Sequence, residues 1–519
     1  MVVLLGLIAC GLALLPAPVD YPRLFDPDDA SQGIFVNDLT FRGDYDASFE
    51  GAREYQDAYR GDWAAQRLSY SLPISALQRW LGIARHDVES LLTVLAVLFA
   101  VTGCGLAAVA LTPGQTGATP ERLAIVGISI VHPSMLLFTR TGASFYLFAH
   151  ALFWGVMAAA LRYSESRQRR WLVAATLLVA LFVANPYPPL AALPFALLFA
   201  FASSGRLAAA RRNWRIYLAV GSAVALAALL TLGLGLAYDG SALGFAERVL
   251  RFQGERSASI GIAQLTGVDP TDKLLKWANQ HFLFLVDDLG DPTRSDTWWT
   301  LNAHHAGFLG LLPVMAFGAV AGLRAHEPQA RLAASVVAAF ALVFLTVSFP
   351  EGRYTLALIP CYAAFAVRGV REAAGHGFAF PLALGVILSL LSLETQIHLA
   401  RVYEPRSEEI WRPFDGIREL APRLAAHAGR PVRVRLPGDP DYASNLYFRM
   451  VMDPAWRWLP ADRFDATLDR QPREIRVVVV EAEAVAELAK WHVLGFAERT
   501  RLEAGRGSRP LVVLERGRP

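Results

Sequence analysis

Apolar residues along this chain gather into long blocks separated by short polar breaks. A helix that crosses a bilayer needs ~20 largely apolar residues, with a range of roughly 17–25. Eleven blocks approach that length, at approximately 1–18, 88–112, 122–138, 143–161, 171–184, 187–203, 216–237, 305–323, 332–349, 354–367 and 378–397. The run 171–203 is broken by "NPYPP", where Pro186, Pro188 and Pro189 end one helix and begin another. Proline lacks an N–H and clashes with the preceding turn. One kinked span is the alternative there, and it would shift every later orientation by one crossing.

Beyond residue 398 the pattern changes. "VRVRLP" (432–437), "IRVVVVE" (475–481) and "LVVLER" (511–516) predict strands, and "DGIRELAPRLAAHAG" and "EAEAVAELAKWHVLG" predict helices around them. The predicted fold class is a membrane all-α bundle of about 11 helices followed by a small α/β domain. The expected domains are 1–400, with outer loops 19–87 and 238–304, and an extracytoplasmic 401–519.

Charge gives the bundle a direction. The loops 162–170, 204–215, 323–331 and 368–377 hold nearly all the short-loop arginines. The positive-inside rule places such loops in the cytoplasm. Eleven spans with the N-terminus inside put all four on that side. Segments 19–87, 238–304 and 398–519 then fall on the outer face. The first span lacks flanking basic residues and resembles a signal peptide, but its removal would leave the remaining orientation unchanged.

Composition agrees. The chain has 519 residues, 54 % of them hydrophobic and only 18 % charged, with a mean hydropathy of +0.34. Soluble domains carry about 25 % charged residues. A net charge of +3 points to no nucleic-acid partner. Cys10, Cys104 and Cys361 lie far apart in apolar stretches and form neither a disulfide framework nor a metal motif.

Candidate chemistry sits in the outer segments. Residues 46–59 have helical spacing, with Phe49, Ala52, Tyr55 and Tyr59 on one broad face and Asp46 where an N-cap would stand. A cap also fixes a carboxylate, so Asp46 is at once a cap and a candidate base, and Asp44 is a second candidate two residues away. The segment 238–304 gathers Asp287, Asp288, Asp291, Asp296, His304 and His305 around Trp298 and Trp299. The tryptophans suit a membrane interface. Asp288, His304 and His305 are metal candidates without HxH or HxxxH spacing, and a hydrated rim explains them equally. The short outer turns contribute Arg140 and Arg353, the two short-loop arginines that break the inside bias. They are read either as side chains snorkelling to phosphate level or as guanidinium groups set for an anion, whose oxygens their planar fork matches.

These features together resemble a family. "DYDASFEGAREYQDAYRGDW" (44–63) is similar to the "D…Y…A…GDW" first loop of the GT-C polytopic membrane glycosyltransferases, of the protein-mannosyltransferase and aminoarabinose-transferase type. "GRYTLALIP" (352–360) is similar to their "RYLLPLLP". Where the family often shows Asp-Glu after the first span, this chain reads "FDPDDAS", so Asp26, Asp28, Asp29, Asp44 and Asp46 compete for one role. The resemblance covers about residues 1–400 by topology. It implies a sugar donor on a polyprenyl phosphate and a catalytic acidic residue in the first outer loop. Asp46, then Asp44, is the implied base. Arg353, with Arg140 and Tyr354, is the implied phosphate site.

The resemblance implies an acceptor that is a glycolipid, a glycan or a protein. The expected setting is the bilayer of a bacterial cytoplasmic membrane. Metal use is open between a divalent cation (Mg or Mn) and none. A transporter or flippase of a lipid-linked sugar is the alternative, but transporters place their polar groups near the midplane and often repeat internally. A scaffold anchored by eleven spans is the third reading.

Overall fold

The computed structural model describes residues 67–112, 119–140, 144–183, 189–203, 213–239, 306–346, 354–375, 379–398, 432–434, 477–482, 485–502 and 511–516. It also describes isolated positions at 33–41, 241, 274–281 and 377. The chain divides into two compact units, one of 1–16, 95–140 and 144–403, the other of 17–94, 141–143 and 404–519.

Twelve described helices precede the sheet. They are α1 (Leu68–Leu81), α2 (Val88–Leu111), α3 (Thr119–Val131), α4 (Pro133–Arg140), α5 (Ser144–Ser166) and α6 (Arg169–Val183). Then come α7 (Pro189–Ser203), α8 (Trp214–Asp239), α9 (Ala306–Arg324), α10 (Pro328–Thr346), α11 (Ile359–Ala374) and α12 (Ala379–His398). Every predicted apolar block from 88 onward overlaps a described helix, 122–138 overlapping both α3 and α4, and block 1–18 lies outside the described residues. Among the described residues, α2, α5 and α12 are long and apolar enough to cross a membrane, and α9 with α10, bent by 114° at their junction, passes the same test as a pair. The outward faces carry Val94, Leu98, Leu177, Leu218, Leu390 and Leu393, all exposed. Rows of exposed leucine and valine suit lipid rather than water, and the chain is a multi-pass membrane protein.

Within the first unit α5 is the most enclosed of the three long apolar helices. Its sequence, "SFYLFAHALFWGVMAAALRYSES", is apolar on all sides, as a helix surrounded by others must be. It packs against α6 and α7, and α7 in turn against α10. Helix α11 is a second hub, touching α3, α9, α10 and α12, and residues 359–370 of it are all buried.

Two expectations change here. Block 122–138 is not one helix but two, split at His132. Pro133 supplies no N–H and disfavours helical backbone at the residue before it, yet it suits the first position of α4. The carbonyl of Val131 is met instead by the Thr395 hydroxyl of α12 at 3.3 Å. The predicted loop 368–377 is in large part helix, and its Arg368 and Arg371 lie on the last turns of α11.

In the second unit, helical positions at 33–41 pair with α1. Gln78 donates to Asn37 Oδ1 at 2.7 Å, Thr40 Oγ1 donates to Gln78 Oε1 at 2.8 Å, and Asn37 donates to the Arg85 carbonyl at 3.1 Å. Arg79 reaches the carbonyls of Leu39 and Thr40, and the Arg85 guanidinium lies 5.2 Å from the Phe41 ring centre. Gly82 ends α1 with φ of 65°, a left-handed stop that a Cβ would strain. The two flanks of the segment that carries Asp44 and Asp46 are thus locked to each other.

The same unit contains a four-stranded sheet of β1 (Val432–Val434), β2 (Val477–Glu481), β3 (Phe496–Leu502) and β4 (Leu511–Arg516), with α13 (Val485–Val493) before β3. The order is β1-β2-β4-β3, with β1 and β2 parallel and the other pairs antiparallel. Trp491, Phe496, Val512 and Leu514 form its core, with the Trp491 and Phe496 rings edge-on at 5.1 Å. Strands β1, β2 and β4 overlap the three sequence-predicted runs, whereas β3, "FAERTRL", has too little alternation to be read beforehand.

Candidate functional site

The site is built around the five residues that lead into α11. Leu356–Leu358 form one turn of 3₁₀ helix, and Pro360 then sits in the first turn of α11, where its missing N–H costs nothing. Such a short run has little intrinsic stability. Its neighbours supply the rest. Trp154 of α5 donates its indole N–H to the Ala357 carbonyl at 3.1 Å. His281 Nε2 lies 2.6 Å from the Thr355 hydroxyl. The Tyr354 ring stacks on Phe344 at 6.2 Å and 18°. Phe344 continues an aromatic ladder through Phe340 (5.5 Å) to Phe153 (5.4 Å) and Trp154 (5.6 Å).

A polar cluster stands behind this run. His132, at the α3–α4 break, places Nε2 3.1 Å from the His281 carbonyl. A carbonyl only accepts, so His132 carries its proton on Nε2. Trp277 donates to the Tyr362 hydroxyl at 3.0 Å. The His281 ring lies among those of Tyr362 (5.6 Å), Trp277 (6.0 Å) and His132 (6.3 Å). His132, Trp277, His281, Thr355 and Tyr362 are all buried. Burial disfavours the charged imidazole and holds the His281 pKa well below its ordinary value, and His132 nearby adds to the effect.

A second cluster lies at the other end of α11, ~24 Å away by helical rise. Arg371 pairs with Glu121 of α3 at 2.7 Å and with Glu327, at the α9–α10 junction, at 3.1 Å. Arg368 pairs with Glu327 at 2.8 Å and also with Glu372. Three carboxylates and two guanidinium groups thus tie α3, α9, α10 and α11 together at one end.

The sequence-predicted site residues fall as follows. Tyr354 is half-buried on the ladder, and Arg140 is the last residue of α4. Asp44, Asp46, Asp288, His304, His305 and Arg353 lie outside the described residues. Among the described residues no group of three His, Cys, Asp or Glu is arranged to hold a metal. Cys104 and Cys361 are buried helix residues. Sequence reasoning passed over His132, His281, Thr355 and Tyr362. The one signal available was a histidine next to proline in the middle of an apolar block.

Among solved structures the chain is similar to ArnT from Cupriavidus metallidurans bound to undecaprenyl phosphate, with a TM-score of 0.50 and 12 % identity over 99 % of this chain and 97 % of that one. ArnT from the same organism in the apo state matches with a TM-score of 0.48 and 13 % identity, over the same shares of both chains. No family model and no curated protein sequence matches. The likeness establishes the fold.

Proposed function

We propose that this chain is an integral-membrane glycosyltransferase that moves a sugar from a polyprenyl-phosphate donor to an acceptor hydroxyl at the outer face of the membrane. The observation that carries this reading is the fold likeness, over nearly the full length of both chains, to a structure that holds undecaprenyl phosphate. The rigid footing of the run after Arg353 supports it, since a residue that must meet a phosphate gains from a turn that does not move.

Arg353, with Arg140 and Tyr354, binds the donor phosphate and offsets the charge that grows as it departs. Stabilisation where charge develops commonly supplies the largest catalytic term. Asp46, or Asp44 in its place, takes the acceptor proton as the hydroxyl attacks the anomeric carbon. Attack opposite the leaving phosphate inverts that centre, through a transition state with oxocarbenium character. General-base help of this kind is worth about 10²–10⁴-fold.

The test is transfer from a labelled polyprenyl-phosphate sugar by the purified protein in vesicles. Wild type transfers the label. Asp46→Asn loses transfer and keeps donor binding, and Arg353→Ala loses both, with Arg353→Lys recovering part because it lacks the fork. Normal transfer by Asp46→Asn removes Asp46 as the base. Movement of the labelled lipid across the bilayer without transfer replaces the enzyme with a flippase.

A further inference from the structure

The groups packed behind Thr355 give one of them a defined task. We propose that His281 is a positioning residue: its hydrogen bond to Thr355 sets the turn that presents Tyr354 to the lipid phosphate. The proposal rests on the reading of that turn as the donor-phosphate site.

Four observations carry it. The His281 Nε2 to Thr355 Oγ1 distance is 2.6 Å, at the short end for a hydrogen bond, and Thr355 is fully buried. Thr355 directly follows Tyr354, so their Cα atoms are ~3.8 Å apart and a shift of one moves the other. His281 is itself fixed, because His132 Nε2 donates to its carbonyl at 3.1 Å and Trp277, Tyr362 and His132 surround its ring. The Trp277 to Tyr362 bond, 3.0 Å, closes that enclosure from the α11 side. His132 at the α3–α4 break, Trp277, and Tyr362 of α11 therefore enclose His281, which alone of them bonds the Thr355 hydroxyl.

His281 is buried to 1 % exposure and flanked by rings, so it is not built to meet an anion directly. It acts through Thr355. A displacement of about 1 Å in a group that positions substrate can cost ~10²-fold, and loss of one buried hydrogen bond that leaves its partner unmet costs roughly 5–150-fold. The loss should appear in donor binding and KM more than in kcat at saturating donor.

The experiment uses the full-length protein in detergent. It measures affinity for undecaprenyl phosphate alongside KM and kcat for transfer from its sugar-loaded form. Thr355→Val removes the hydroxyl with little change of shape, His281→Phe keeps a ring without the nitrogen, and His281→Gln keeps a polar group at similar reach. Thr355→Val and His281→Phe should each weaken binding about 10-fold. The double variant should be no weaker than either single, as for two ends of one bond. His281→Gln should recover most of the loss.

Binding by Thr355→Val within twofold of wild type overturns the proposal, even where His281→Phe fails to fold. Losses that multiply in the double variant also overturn it. A wild-type protein that binds no undecaprenyl phosphate overturns the donor reading itself, and the proposal with it.

Discussion

At the scale of residues, His281 makes a prediction separate from any transfer chemistry. Its pKa is held down by burial, so protonation favours the unfolded chain. Stability from this group is fully present above the ordinary imidazole value of about 6.5. It is lost as pH falls from there toward the lowered folded value. A plot of Tm against pH should therefore fall on its acid side, and His281→Gln should flatten that limb. An unchanged limb would mean that His281 is not buried as a neutral ring. The sequence already marked Tyr354 and Arg353, because an arginine in a short outer turn breaks the charge bias. It did not mark His281 or Thr355, because a histidine in a long outer segment and a threonine beside a tyrosine carry no periodic or charge signal. Their roles come from contacts across 74 and 149 residues.

At the scale of elements, the closest approach is between α9 and α11. A Cβ at Gly318 would strike the Phe365 carbonyl, and a Cβ at Gly369 would strike the Val314 carbonyl. Gly318 and Gly322 stand four apart on α9, the spacing that lets membrane helices touch backbone to backbone. Gly369→Ala should force the pair apart and cost about 1–3 kcal/mol, read as a lower Tm in detergent. Gly221→Ala in α8, where a Cβ meets nothing, should leave Tm unchanged or slightly higher. The helices themselves were legible from apolar block length. The break at His132 was not read, although Pro133 in the middle of a block was a signal for it. The partners of each helix were not, because several blocks are apolar all round and such a helix does not reveal which face meets which neighbour.

At the scale of the whole molecule, charge does two jobs. Arg371 joins α3, the α9–α10 junction and α11 through Glu121 and Glu327, with side chains only 13 % and 12 % exposed in the Glu121 pair. Removing one partner of a well-buried pair costs up to ~3–5 kcal/mol because the other charge is stranded. Arg371→Ala should lower Tm by several degrees. Arg162→Ala, from the exposed pair with Glu165, should be worth at most about 1 kcal/mol. The crossing pattern is a separate claim, and its parity sets which face the last domain occupies. A phosphatase reporter fused after residue 519 should be active and one inserted at the α9–α10 junction inactive; the reverse would invert the proposed orientation. Arginine counts in loops were enough to suggest this pattern, yet they did not reveal that Arg368, buried, and Arg371, half-buried, are helix residues holding several helices together.

The bonds around Thr355 also set an order of events during synthesis. His132 waits for His281, His281 for Thr355, and Trp154 for Ala357, 203 residues later. The Val131 carbonyl waits longer still, for Thr395. Helices leaving the ribosome early can insert one by one, but the turn before α11 has no support until most of the chain has been made. A nascent chain halted before residue 355 would hold many of its helices but lack the ordered turn before α11, so this part of the structure forms only late in translation.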